Sequence, residues 1–128
     1  MRFAGQRQKL IASNIANFDT PNHRSVDVDP RRFQAALAEA VAERRGGNGG
    51  THGALPLRET GEVRLDGRGN LVLTPGTTSG SVLAHDRNNR DLERTMQAMV
   101  ENAAQFRVAA DFMRQRMGLL KSAIREQA

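Results

Sequence analysis

The sequence contains no cysteine, tryptophan or tyrosine, and the aromatic side chains among its 128 residues are five phenylalanines. Without cysteine the chain has no disulfide, no thiolate metal ligand and no cysteine nucleophile. Aromatic side chains supply much of the apolar area of a compact core. Their scarcity, with 12 glycines and a mean hydropathy of -0.57, predicts a small core and much exposed chain. The length argues for one domain overall.

Long apolar runs are also missing. No segment approaches the roughly 20 apolar residues that a membrane span needs, and no apolar core of a signal peptide follows Met1. We therefore predict a protein that does not span a membrane. If it leaves the cytoplasm, we expect it to do so without a cleaved signal.

Basic residues outnumber acidic ones, 19 to 14, which gives a net charge of +5 and a sequence pI of about 11.2. Such a balance permits binding to nucleic acid, anionic lipid or an acidic protein surface. The arginines are spread along the chain among acidic residues and have no aromatic neighbours, which favours an ordinary solvated surface. A basic helical nucleic-acid-binding or adaptor module is the alternative function.

The apolar pattern predicts a mainly α fold with long helices at both ends. Residues 2–18 are predicted to be helical, and Thr20-Pro21 ends that segment because proline disfavours helical geometry in the residue before it. Asp29 is expected to cap a second helix that begins at Pro30 and stops at the glycines of 46–50. One face of the first helix collects residues spaced by four and three positions: Ala4, Gln8, Ile11, Ile15 and Phe18.

The middle of the chain, residues 46–90, is rich in turn-forming residues and is predicted to be largely flexible. Apolar residues alternate over 63–65 and 71–73 on either side of 66–70, which predicts a small β-hairpin. Residues 74–81 have the composition of a linker. The predicted segments are thus 1–21, 22–88 and 89–128.

The strongest pattern lies in residues 89–126, which are predicted to form one long helix with Asn88 as its cap and Asp91 in its first turn. Its apolar residues recur at alternating steps of four and three, as in the core of a coiled coil. Gly118 is the weak point, costing about 1 kcal/mol relative to alanine, unless a neighbouring backbone comes close there. We call the apolar stripe the seam, and it comprises Leu92, Met96, Met99, Ala103, Phe106, Ala110, Met113, Met117, Leu120 and Ile124.

The seam is too long for the rest of the chain to cover. It extends over roughly 50 Å of helix, whereas the N-terminal helix is roughly 25 Å long. Burying each large apolar side chain stabilises by roughly 1.5–3 kcal/mol, so an uncovered seam favours association. The sequence therefore predicts an assembly subunit whose remaining seam is covered by other chains.

Both ends of the chain resemble a known family. The stretch from Arg7 to Asp29, RQKLIASNIANFDTPNHRSVDVD, is similar to the N-terminal signature of bacterial flagellar axial proteins, most closely the FlgB rod-protein family. The segment from Asn88 to Ala128 resembles the terminal helix of the same family. Departures are Phe18, Asn22-His23 and Thr95, where the family usually has a small residue, Gly-Tyr and an acidic residue. The family usually has further helical residues before Arg7, so the chain is expected to begin late relative to that pattern.

The resemblance implies a structural subunit of the flagellar basal-body rod, with no enzymatic activity and no cofactor or metal. It implies that the terminal helices associate as a coiled coil and polymerise into the rod across the periplasm for motility. The implied partners are other rod subunits, the MS ring with its adaptor protein and the flagellar type III export apparatus, which exports the subunits without signal cleavage. Nucleic acid is not among them.

The candidate site residues fall in two groups, and neither has the pattern of a catalytic centre. The first is the corner after the N-terminal helix, interpreted either as an assembly contact or as an ordinary helix end: Asn14, Ile15, Ala16, Asn17, Asp19, Thr20 and Pro21. The second is the seam together with Ile11, Ile15 and Phe18. A divalent-ion site at His23, Asp27 and Asp29 is disfavoured, because a solvated loop and a helix cap explain these residues and no supporting shell is evident.

Overall fold

The computed structural model describes residues 1–48, 54–77 and 92–126. The protein is mainly α-helical, as the sequence predicted, and none of its described helices combines the length and apolarity that a membrane crossing requires. The elements follow in the order α1 (Arg2–Ala16), β1 (Val26–Asp27), α2 (Pro30–Asn48), β2 (Val63–Leu65), β3 (Leu71–Leu73), β4 (Gly76–Thr77) and α3 (Leu92–Glu126).

The chain divides into two compact units. The first comprises the described residues of Met1–Ser25 and Ser79–Ala128, and the second is Val26–Thr78. The first unit is the pair of helices α1 and α3, which pack against each other. The second contains α2 and both antiparallel pairs of strands.

In the first unit, α1 ends two residues earlier than the predicted boundary at residue 18. Asn17 occupies the C-cap with φ -102° and ψ 14°, so Phe18 lies beyond the helix and cannot continue its apolar face. The prediction placed too much weight on Pro21, whose steric effect reaches back one residue only. The helix ends earlier because Asn17 and the turn after it satisfy the last carbonyl groups.

The face of α1 that is buried also differs from the predicted one. It consists of Phe3, Ala4, Arg7, Ile11 and Asn14. Ala4 and Ile11 are shared with the predicted face, whereas Gln8 and Ile15 are only half-buried. The buried stripe therefore carries a charged side chain and an amide, which an apolar-periodicity argument passes over.

In the second unit, α2 begins as predicted. The Asp29 side chain accepts a hydrogen bond from the backbone N–H of Arg31 over 2.8 Å, which is the geometry of an N-cap, and Pro30 is the first helical residue. The helix then continues through Gly46 and Gly47 to Asn48, so the prediction that glycine stops it at 46 was wrong. Glycine lowers helix stability by about 1 kcal/mol per residue but does not forbid the conformation.

The predicted hairpin is present. Strands β2 and β3 pair antiparallel with Val63 opposite Leu73 and Leu65 opposite Leu71. Asp66 organises the turn, because its Oδ1 accepts the backbone N–H groups of Arg68 at 2.9 Å and Asn70 at 2.7 Å. Gly69 adopts a φ of 74°, a conformation that favours glycine.

The side chain of Glu62, which precedes β2 in the second unit, also contacts the start of α2. Glu62 Oε2 accepts the backbone N–H of Asp29 at 2.9 Å, and Glu62 Oε1 lies 3.5 Å from Arg32 Nη1. Among the described residues of this unit, the buried apolar side chains are those of Val28, Ala40, Val63 and Leu71.

Part of the predicted linker is ordered as a strand. In β4, Gly76 and Thr77 pair with Asp27 and Val26 of β1, so the linker prediction for 74–81 was wrong at these two residues. Strands of two residues are too short to show a periodic pattern in the sequence. Residues 78–81, the predicted cap Asn88 and Asp91 lie outside the described residues.

Candidate functional site

The corner at the end of α1 is built around Asn17. Its backbone N–H donates to the carbonyl oxygen of Ser13 at 3.1 Å, and its side-chain Nδ2 donates to the same oxygen at 2.8 Å. The backbone N–H of Phe18 donates to Ile15 at 3.2 Å. One amide side chain thus supplies a partner for a carbonyl group at the end of the helix, as at an ordinary helix end.

A compact turn follows and redirects the chain. The backbone N–H of Thr20 donates to the Asn17 carbonyl at 3.0 Å, and the Thr20 hydroxyl donates to Asn17 Oδ1 over 3.4 Å. The backbone N–H of His23 then donates to the Thr20 carbonyl at 3.2 Å. Between them Asn22 adopts a φ of 61°, which asparagine tolerates better than most residues.

The predicted assembly residues of this corner separate into an inner and an outer group. Asn14 is buried in the first unit, and Ile15 and Asn17 are half-buried. The outer group is exposed and consists of Ala16, Asp19, Thr20 and Pro21. The local hydrogen bonds of Asn17 and Thr20 are those of an ordered helix end, and a contact with a neighbouring subunit through the outer group stays a prediction.

The contact between α1 and α3 has a polar centre that sequence reasoning missed. Asn102 is 1% exposed, and its Nδ2 donates to the carbonyl oxygen of Ala4 at 2.9 Å and to Oε1 of Gln8 at 2.7 Å. Arg7, between those two residues in sequence, is 4% exposed. These groups fix the level at which α1 sits against α3, because a shift along the axis would separate Asn102 from both acceptors.

The stripe of α3 that faces α1 is not the seam. Apart from Ala110, which belongs to the seam, the residues of α3 that are not exposed recur at steps of three and four: Thr95, Ala98, Asn102, Gln105 and Ala109. This stripe, which we call the small-polar stripe, lies roughly a quarter turn around the helix from the seam. The expectation that α1 pairs along the seam is therefore corrected to packing on its flank. The signal in the sequence was the recurrence of small and amide residues at heptad spacing.

The seam remains largely exposed along its length. In the part that contacts α1, Met99 and Phe106 are 39% and 40% exposed, and farther along Met113, Leu120 and Ile124 are 56%, 59% and 69% exposed. Every residue from 111 to 126 is exposed, including Phe112 and Leu119 outside the seam. The prediction that a single chain leaves much of this apolar surface uncovered is confirmed.

The carboxylates that follow the corner in sequence have local structural tasks. Asp27 Oδ1 accepts the backbone N–H of Val28 at 2.8 Å, and Asp29 caps α2. Within residues 1–48, 54–77 and 92–126, no three histidine or acidic side chains are grouped so that they would hold a metal ion. The first unit therefore offers an exposed apolar helix face and a hydrogen-bonded corner, and the apolar face suits packing against other helices.

Comparison with known proteins identifies the family. No protein-family profile matches the chain. The chain is similar to the flagellar basal body rod protein FlgB of Borrelia hermsii, with 34% identity over 101 residues that cover 75% of this chain and 68% of the relative. It is also similar to the FlgB proteins of Escherichia coli (strain K12) and Shigella flexneri, each with 26% identity over 114 residues, 85% of this chain and 75% of the relative. The chain therefore belongs to the FlgB family of flagellar basal body rod proteins.

Proposed function

We propose that this chain is a structural, non-catalytic subunit of the proximal rod of the flagellum, and that it polymerises through its terminal helices. The observation that carries the proposal is the exposed seam of α3, in which large apolar side chains are uncovered over more than half of the helix. Exposed apolar area of this kind favours association, because its burial releases roughly 25 cal/mol per Å².

Two different faces of α3 are available for contacts within the subunit and between subunits, which supports the proposal. The small-polar stripe holds α1 by hydrogen bonds from Asn102, which gives the subunit a defined pair of helices. The seam beside it stays available for neighbouring subunits. A pair of helices held at a fixed level and carrying an exposed apolar face is a suitable repeating element for a tube of packed helices.

The rod context adds partners and a location to this proposal. We propose that the neighbours are other rod subunits and the MS ring with its adaptor, and that the subunit reaches the periplasm by flagellar type III export without signal cleavage. The corner around Asn17 would then set the direction in which the chain leaves α1 at the subunit boundary. In this role the chain transmits torque by being packed.

The proposal predicts that a charge on the seam prevents rod assembly. In Met113→Glu a carboxylate replaces a side chain that is 56% exposed in the free chain, so the subunit itself should fold normally. Once a neighbour covers that position, burial of an unpaired charge would cost several kcal/mol. We expect loss of swimming in soft agar and loss of rods from purified basal bodies in a strain that depends on this chain.

Gln115→Glu is the matched control, because Gln115 is exposed on the same helix, lies outside the seam and receives the same charge. It should leave motility and rods intact. Motile cells with complete rods carrying Met113→Glu would contradict the proposed function, provided that circular dichroism shows the same helix content for both variants.

A further inference from the structure

The charges beside the seam follow the same seven-residue repeat as the seam itself. When the seam is numbered as the a and d positions of a heptad, with Met96 at a and Met99 at d, Arg107, Arg114 and Lys121 all occupy position e. We call these three residues the basic ladder, and all three are exposed. In coiled coils the e and g positions border the apolar core and select the partner through ion pairs.

The basic ladder lies on the side of the seam that α1 leaves open. Position e borders the seam on one side, whereas the small-polar stripe that holds α1 occupies positions g and c on the other. A helix that covers the seam would thus have α1 on one flank and the basic ladder on the other. Its contact with the ladder is unobstructed by any described residue of the first unit, since the ladder is exposed.

Little within the chain neutralises the ladder. Arg114 pairs with Asp111, three residues earlier, but its side chain remains 75% exposed. Neither Arg107 nor Lys121 forms an ion pair with any residue in 1–48, 54–77 or 92–126. The only other acidic residue of α3 beyond position 111 is Glu126 at position c, away from the seam.

A second copy of α3 is a poor electrostatic match for this surface. In an antiparallel pair the e positions face each other. Those of α3 are Glu93, Val100, Arg107, Arg114 and Lys121, so Glu93 of one copy can face only one residue of the other copy's basic ladder. In a parallel pair the e positions face g positions, which here are Thr95, Asn102, Ala109, Arg116 and Ala123 and include no acidic residue. Neither arrangement places acidic side chains opposite more than one residue of the ladder, and like charges across such a contact are destabilising.

The other helices of the chain do not supply the missing charge either. Helix α1 contains no acidic residue. Helix α2 contains Glu39 and Glu43 among four arginines, and Glu43 lies 3.7 Å from Arg58. None of the described helices carries acidic residues that match the whole ladder, which favours a different protein as the source of the complementary charge.

From this we infer that the distal half of the seam, residues 107–124, docks an amphipathic helix of another protein that presents Asp or Glu opposite Arg107, Arg114 and Lys121. The inference rests on the proposed function, because the partner it specifies would be a neighbour in the rod. In this contact the seam supplies the apolar area that binds the partner helix. The repulsion between like charges of the ladder disfavours a second copy of the same helix in that place.

The test uses the full chain and two synthetic four-heptad peptides that share leucine and isoleucine at a and d. One peptide carries Glu at e and g, and the other carries Lys. Fluorescence anisotropy at about 50 mM salt should show at least tenfold tighter binding of the Glu peptide, and the preference should shrink at about 500 mM salt because the charges are screened.

Charge-reversal variants distinguish the effect of the basic ladder on peptide binding from the effect of the net charge of the chain. R107E/R114E/K121E should exchange the preference, so that the Lys peptide binds more tightly. R24E/R31E/R125E changes the net charge equally at exposed residues that belong neither to the seam nor to the ladder, and it should keep the preference for the Glu peptide. Helix content from circular dichroism establishes that both triple variants fold.

Three results would overturn the inference. They are equal binding of the two peptides, the same loss of preference in both triple variants, and tighter binding to phosphatidylglycerol vesicles or duplex DNA than to the Glu peptide. The outcome is distinguishable from failure of the proposed function: if Met113→Glu abolishes rods while the peptides bind equally, the rod role stands and only the acidic partner falls. If the Glu peptide is preferred while Met113→Glu leaves rods intact, the acidic docking surface stands and the rod role falls.

Discussion

At the scale of single residues, Asn102 shows how a polar side chain can specify a helix pair. It is almost completely buried and donates two hydrogen bonds to α1, one to a backbone carbonyl and one to Gln8. Each such bond contributes roughly 0.5–1.5 kcal/mol net, and a broken one leaves a buried group unsatisfied at a further cost. An apolar residue at this position would allow α1 to shift along α3 at little cost. The amide favours a single axial position of α1, because only there can it make both hydrogen bonds.

The substitution Asn102→Asp should destabilise the first unit strongly. The carboxylate has nearly the same shape, but it places a negative charge against the Ala4 carbonyl oxygen, which cannot donate. We expect a loss of about 2–4 kcal/mol in the free energy of unfolding at pH 7, from the unsatisfied acceptors and the buried charge. Urea unfolding followed by circular dichroism measures it.

Gln115→Asp introduces the same side chain at an exposed position of α3 and is the matched control. Its cost should stay below about 1 kcal/mol, because helix propensity alone changes. Equal stability of the two variants would show that Asn102 does not hold α1.

Asn22 explains one of the departures from the family pattern. The resemblance places glycine at this position, and the backbone there has a φ of 61°. Glycine and asparagine are the residues that adopt this region at least cost, so the exchange preserves the turn after α1. The sequence difference is therefore compatible with the same corner geometry.

At the scale of elements, α3 presents two stripes of residues that are available for different contacts. The small-polar stripe binds α1, and the seam beside it stays open. The stripes are offset by roughly a quarter turn, so one helix can contact its own α1 and a neighbour at the same time. This offset is the structural reason why α1 does not shield the seam.

Gly118 interrupts α3 at a position where the chain itself makes no demand for glycine. A Cβ atom added there would meet no other atom within 4 Å, and the position lies outside the seam. Gly118→Ala should therefore stabilise the isolated chain by about 1 kcal/mol, because alanine is the better helix former. Thermal or urea unfolding monitored by circular dichroism at the helix band provides the measurement.

The same variant reports on the assembled rod. If no neighbouring backbone approaches Gly118, the stabilised variant should still form rods. If the variant is stabilised by the expected amount but forms no rods, a neighbouring subunit needs the space at this glycine. If the variant is not stabilised, the argument from helix propensity is contradicted.

The sequence was informative where a single local signal decides the structure. The cap at Asp29, the hairpin register from Val63 to Leu73 and the uninterrupted helix through the seam each follow from local propensity and periodicity. The pairing of β1 with β4 did not follow, because it joins two-residue strands that are far apart in sequence.

The candidate site was predictable in part. Residue spacing predicted the apolar seam, and the Thr20-Pro21 step predicted a turn after α1, whereas an assembly role for either stays a prediction. Spacing could not show that α1 chooses the flank with Asn102, since that choice depends on hydrogen bonds and a buried Arg7. Hydrophobic periodicity ranks faces by apolarity, whereas here the more polar face makes the internal contact.

At the scale of the whole molecule, the chain has a small interior for its length. Its buried apolar residues are few within the described part, and the largest exposed apolar side chains are concentrated on α3. The FlgB family accounts for this combination of few buried and many exposed apolar side chains, since the relatives of the chain are named as basal body rod proteins. In our proposal the missing interior is supplied by neighbouring subunits.

The most direct test of this account is the accessibility of the seam before and after assembly. The chain has no cysteine, so Met113→Cys introduces a unique thiol in the seam and Gln115→Cys introduces one on the opposite face of the same helix. In the free chain we expect both thiols to react with a maleimide at similar, fast rates. In purified basal bodies we expect the Met113→Cys thiol to be protected at least tenfold relative to the free chain. Protection in the free monomer, or unchanged reactivity in the rod, would contradict the claim that neighbouring subunits cover the seam.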